Sequence, residues 1–239
     1  MKCAYKKVLE EQRIDQIQDS YDEMSTNFLR LLDGAAGTAV HNQLGFGKIR
    51  LNRFYESTLL EMWESIEFYT SIQKDSDEYR AMFTAREADC KERRQNRDSI
   101  ATSYVAMLLK LEEIGYDFED YERRWAFEDL FYGKWHEPLK VKLHESRMDF
   151  VRRMEPTCRL YIAAGLVHLH EQYGRGETTL RGIHMAIRVQ LNRFIERWVN
   201  FNDTEAFKLI DDLLEIVEKH GAEVSYWKGG DNDGRCEEM

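Results

Sequence analysis

His41-Asn42-Gln43-Leu44-Gly45-Phe46-Gly47 decides how this chain is read, because the phrase returns as His170-Glu171-Gln172-Tyr173-Gly174-Arg175-Gly176. At an offset of 129 residues, the windows that run from Arg30 to Leu51 and from Arg159 to Leu180 share Arg, Leu, Ala, His, Gln, Gly, Gly and Leu. Agreement over that span points to an internal duplication. Each Gly-x-Gly follows a run of helical residues, where glycine adopts the left-handed conformation that ends a helix without a Cβ clash. The second glycine can cap the next helix. The phrase therefore predicts a tight helix–corner–helix unit, made twice, with Phe46 folding back on the first helix in a Schellman arrangement. His41 and His170 fall in the last turn, within reach of free carbonyls. The expected structural corner is His41, Gly45, Gly47, His170, Gly174 and Gly176.

Outward from the corners, apolar residues recur at helical spacing. Val8, Ile14, Ile17, Tyr21, Met24, Phe28, Leu31 and Leu32 predict one or two helices from about residue 5 to about residue 43. Gly34 and Gly37 interrupt that run, and each costs a helix about 1 kcal/mol relative to alanine, so they mark either a break or a close helix–helix approach. After Lys48, the residues Leu51, Tyr55, Leu59, Met62, Ile66 and Tyr69 form a core-facing stripe. The charged stretch 73–99 reads as a solvated connecting helix. Ile100 to Ile114 is a helix closed by Gly115, and another begins at Tyr116 and ends near Gly133. Pro138 and Pro156 are each read as a helix start, where a missing N–H costs nothing. Ile187, Leu191, Phe194, Trp198 and Phe201 continue the spacing, and Asn202, Asp203 and Glu205 announce the final helix, closed by Gly221.

Two weaker echoes support the duplication. Leu51-Asn52-Arg53-Phe54 recurs as Leu191 to Phe194 at an offset of 140, which is 11 residues beyond 129 and close to three helical turns, so it keeps the same helix face. Leu111-Glu112-Glu113-Ile114-Gly115-Tyr116 reads as a degenerate third copy. The fold expected is an all-α multi-helix bundle, elongated or bilobed, with units 1–97 and 98–221 and a polar tail 222–239.

Composition narrows function by exclusion. A formal charge of −10 disfavours a general nucleic-acid coat or membrane-surface protein, which need a cationic face. The N-terminus has no apolar signal core, no stretch approaches the length of a membrane span, and Cys3, Cys90, Cys158 and Cys236 form no CxxC pair. Free thiols in the cytoplasm are the expectation. A phosphate-binding loop would need glycine at Asn42 and Ser or Thr at Ile49, and Glu177 replaces Lys48 in the second copy. His168 and Glu171 share a helix face but are too few for a metal, and His136–Glu137 and His144–Glu145 stand beside no nucleophile motif. No catalytic residue, cofactor or metal is expected.

His41, Gly45, Phe46, Gly47, Lys48, Arg50, Leu51, Arg53 and Phe54 match, with Leu44 departing, a phrase His-x-x-Phe-Gly-Phe-Gly-Lys-x-Arg-Leu-x-Arg-Phe. In this the chain resembles a loosely defined set of small uncharacterised proteins from phages and prophages of Gram-positive bacteria. The second copy keeps His170, Gly174, Gly176 and Leu180, with Tyr173 as the aromatic. The resemblance implies origin and brings no catalytic residues. Together with the dense aromatics Trp125, Phe131, Tyr132 and Trp135, read as a protein interface, it implies a non-enzymatic protein-binding role, such as inhibiting a bacterial host or defence complex. Lys91, Arg93, Arg94 and Arg97 support the alternative of a nucleic-acid module. An unrecognised metal-dependent or hydrolytic enzyme is the third reading.

Overall fold

Each repeated phrase terminates a long helix. In the computed structural model, which describes residues 2–71, 99–123 and 138–221, seven α-helices and no strand occur among those residues. They are α1 (Lys2–Leu44), α2 (Lys48–Ser71), α3 (Ser99–Glu113), α4 (Phe118–Arg123), α5 (Pro138–Tyr173), α6 (Glu177–Val199) and α7 (Asp203–Lys219). The chain is an all-α helical bundle. The expected connector at 73–99, apart from Ser99, the helix end near Gly133 and the tail 222–239 lie outside the described residues.

The packing carries an internal correspondence. α1 lies mainly against α6 and α7, while α5 lies mainly against α2 and α3. If α1 is matched to α5, α2 to α6 and α3 to α7, these are the same contacts made twice. The long helix of each half therefore packs on the two shorter helices of the other half, and α1 touches α2 little. A single apolar core results. Phe28 and Leu31 of α1, Phe54 of α2, Leu108 of α3, Tyr161 of α5, Phe194 of α6 and Val217 of α7 all belong to it.

Small residues make these crossings close. α1 runs unbroken through Gly34 and Gly37. A Cβ on Gly34 would stand 2.9 Å from the Leu213 Cβ, and one on Gly37 would stand 1.8 Å from the Tyr55 Oη and 2.9 Å from Val217. Of the two expectations for these glycines, close approach is therefore the one realised. In α5, a Cβ on Gly165 would meet the Phe54 ring at 3.2 Å. Gly165 is the 129-residue counterpart of Ala36, so both long helices are thinned at the same height.

Two expected boundaries are corrected. Pro156 does not start a helix; it lies inside the 36-residue α5, whose first residue is Pro138. Pro156, Arg152 and Arg153 are exposed, so the Arg152 carbonyl that loses its N–H partner can be hydrated, which lowers the cost of an interior proline. Pro156→Ala should restore that bond and raise stability by about 1 kcal/mol or more, read as a higher urea midpoint at unchanged slope. A lower midpoint would show that the ring matters more than the missing bond. Phe201 is the second correction. α6 ends at Val199, and Phe201 sits in the turn to α7 with φ of 63°. Phe201 donates to the Trp198 carbonyl and Asn202 to the Arg197 carbonyl, the Schellman pair whose C′ residue is left-handed, and the Arg147 guanidinium lies 5.0 Å from the Phe201 ring centroid.

Candidate functional site

The two corners are built alike. Gly45 and Gly174 have φ of 65° and 59°, and their amides donate to the carbonyls of His41 and His170 at 2.8 Å in both cases. That bond is the αL cap, not the Schellman pair expected at Phe46; the second corner adds a bond from the Arg175 amide to the Leu169 carbonyl at 3.3 Å. Schellman pairs occur instead at the degenerate third copy, where Gly115 donates to Glu112 and Tyr116 to Leu111, each at 2.9 Å, and at the end of α6, where Phe201 donates to Trp198 at 3.1 Å and Asn202 to Arg197 at 2.9 Å. His41 Nδ1 lies 2.8 Å from the Phe46 carbonyl and His170 Nδ1 lies 2.9 Å from the Arg175 carbonyl. A carbonyl only accepts, so Nδ1 carries the hydrogen and donates at both sites. The imidazole thus ties the last helical turn to the residue between the glycines.

The next helices begin equivalently, with Leu51 donating to Gly47 at 3.0 Å and Leu180 to Gly176 at 3.1 Å. Phe46 packs on Tyr173 of the other corner, at 4.8 Å between ring centroids, so the corners sit side by side. Nothing lies within 4 Å of a Cβ built on Gly45 or Gly174. Gly45→Ala and Gly174→Ala should therefore each cost only the left-handed backbone penalty of about 1–2 kcal/mol. Urea unfolding of the two variants measures this, and a difference above about 1 kcal/mol would refute their equivalence.

The densest chemistry is buried. Glu122 of α4 is 3% exposed, and Arg188 and His184 of α6 are each 1% exposed. Arg188 Nε donates to Glu122 Oε1 at 2.7 Å, its Nη2 donates to Oε2, and His184 Nε2 donates to Oε1 at 2.6 Å. Arg159 Nε stands 3.2 Å from Glu122 Oε2, and Glu155 accepts from both Arg159 and Arg188. Because Nε2 of His184 holds a hydrogen, its Nδ1 accepts the Tyr116 hydroxyl at 2.8 Å. Phe118 stacks on the imidazole at 4.4 Å.

Burial alone would raise the Glu122 carboxyl, yet the Arg188 charge and the His184 and Arg188 hydrogen bonds hold it at about 2. Burial lowers the His184 pKa despite Glu122, so the ring stays neutral near pH 7. Hydroxyl, imidazole and carboxylate stand in the order of a proton relay. The Tyr116 side chain, however, is fully buried, and Glu122 is saturated by two arginines. The network holds α4 against α5 and α6. A readable signal existed: His184 and Arg188 are four apart inside the apolar stripe Leu180, Ile183, Ile187, Leu191, where two polar side chains demand buried partners.

The acid–base and metal candidates have other duties. His144 Nδ1 lies 3.4 Å from the Val199 carbonyl, and Arg147 donates to Trp198 O and pairs with both Asp203 oxygens at 2.7 and 3.0 Å, so these α5 residues cap the end of α6. Lys110 of α3 sits 2.5 Å from Glu61 and 3.6 Å from Glu171. His168, whose pKa burial lowers, lines with Glu61, Glu64, Glu171 and Arg53 an open cleft of about 440 Å³ between α2 and α5. Among the described residues, no three His, Cys, Asp or Glu side chains are grouped to hold a metal ion. Cys158 is a free, buried thiol.

Beside this cleft, α2 turns an unusual face outward. Ile49, Leu60 and Trp63 are 69%, 57% and 58% exposed. With Arg53, Glu56 and Glu64 they fall on one stripe of the helix, opposite the buried Leu51, Tyr55, Thr58 and Met62. Trp125, Phe131, Tyr132, Trp135, Lys91, Arg93, Arg94 and Arg97 lie outside the described residues. No described helix is long and apolar enough to cross a membrane. Compared with known protein families, curated proteins and solved structures, the chain matches none.

Proposed function

We propose that this chain is a non-enzymatic protein-binding protein, and that the outward stripe of α2 is a principal contact surface. The observation that carries this reading is the pairing of a half-exposed tryptophan, Trp63, with Leu60 on one face of α2, ringed by Arg53, Glu56 and Glu64. Large apolar anchors surrounded by charge are what protein interfaces use, and tryptophan is enriched among their energetic centres. The target we propose is a bacterial host or defence complex, which is what the resemblance of the His41–Phe54 phrase to phage and prophage proteins would imply.

Trp63→Ala tests the reading. Because the side chain is exposed, the variant should keep the wild-type urea midpoint within about 0.5 kcal/mol and yet lose at least about tenfold in affinity for a copurifying partner. Unchanged partner affinity would remove this face from the function.

A further inference from the structure

We infer that the outward stripe of α2 docks a second copy of this chain, antiparallel about a two-fold axis. The inference rests on the reading of that stripe as a protein-contact face and names its occupant. The two ends of the stripe are complementary in charge to each other. Arg53 lies toward the N-terminal end of the stripe and Glu64 toward its C-terminal end, and both are exposed. Neither forms an ion pair with another described residue. The 11 positions between them make a rise of about 16 Å and return to within about 20° of the same face.

An antiparallel copy whose axis passes between Thr58 and Leu59 sets Arg53 opposite the partner's Glu64 and Glu64 opposite the partner's Arg53. The same register brings Leu60 of each copy next to the axis. Trp63 then faces the Arg53 region of the other helix, where a guanidinium can lie over the indole. Parallel pairing would instead oppose like charges, Arg53 to Arg53 and Glu64 to Glu64. Opposed helix dipoles favour the antiparallel arrangement as well. One helix face is a small interface, so the dimer should be weak and concentration-dependent, holding the contact face in reserve until a tighter partner competes for it.

Sedimentation velocity of the full chain across a concentration series tests this, with Arg53→Glu, Glu64→Arg and the double variant R53E/E64R. Each single reversal places like charges together at both symmetric contacts and should weaken self-association by about tenfold or more, whereas the double variant should return to within about threefold of wild type. A chain that stays monomeric at every concentration, or a double variant no better than the singles, overturns the inference. Replacing Trp63 with p-benzoylphenylalanine and irradiating cells separates this inference from the reading beneath it. A covalent homodimer supports both. An adduct with a different protein alone overturns the second copy and leaves the contact face standing. No adduct of either kind overturns both.

Discussion

Glu122→Ala should cost about 4 kcal/mol, because it strips the central carboxylate from a buried cluster and leaves Arg188 and Arg159 facing each other with only Glu155 between them. Removing one partner of a buried pair is far more damaging than never having built the pair, since the remaining charge keeps its desolvation cost. Glu122→Gln retains the shape and part of the hydrogen bonding, so it should lose less. Urea unfolding at pH 7 orders the three proteins, and a loss under about 1 kcal/mol for Glu122→Ala would mean that the cluster contributes little.

The same cluster sets an acid limit. The Glu122 carboxyl is held at about 2 in the folded chain. Its unfolded value is about 4.3, so its contribution is complete above that value and fades as pH falls toward 2. His184 is also depressed by burial, and the unfolded chain therefore binds the proton first as pH drops below about 6.5. Both groups make the fold less stable in acid. The slope of unfolding free energy against pH should be positive from about pH 2 to pH 6.5, and Glu122→Gln should flatten its lower part. An unchanged slope below pH 4.5 in that variant would assign the acid sensitivity to other carboxylates.

Gly37→Ala should be the next most damaging single change, costing about 3 kcal/mol. Its methyl group would lie 1.8 Å from the Tyr55 hydroxyl, which donates to the Asp33 carbonyl at 2.8 Å, and 2.9 Å from Val217. Either α7 moves off α1 or Tyr55 leaves its acceptor, and both disturb a core in which Tyr161 also donates to Asp33 Oδ1 at 2.5 Å. Tyr55→Phe removes the atom in worst conflict while keeping the ring. The two changes should therefore combine to cost less than the sum of their separate effects, by about 1 kcal/mol. Strict additivity in urea unfolding would show that the crossing of α1 with α7, not the hydroxyl, sets the penalty.

Periodicity and glycine placement located most helices because both are local. The αL turns at Gly45 and Gly174 follow from where a helix must stop and which residue tolerates positive φ. The same reasoning failed at Pro156 and Phe201, where the outcome depended on neighbours that spacing does not encode. Pro156 stays inside α5 at an exposed position, beside the exposed Arg152 and Arg153, and Phe201 leaves α6 in a left-handed turn over which Arg147 lies. The Glu122 cluster escaped because its members are scattered over α4, α5 and α6, and only His184 with Arg188 is close enough in sequence to betray it.

By itself, the order of residues determined that the chain is helical, that two Gly-x-Gly corners repeat, and which faces are apolar, since each of these is set within a few turns by backbone sterics and side-chain period. Tertiary structure alone decided that α1 seeks α6 and α7 while α5 seeks α2 and α3. It also decided that α2 keeps Leu60 and Trp63 in water. Helix pairing depends on which surfaces can approach most closely, and that is a property of two distant segments together, written here in the thin places at Gly34, Gly37 and Gly165.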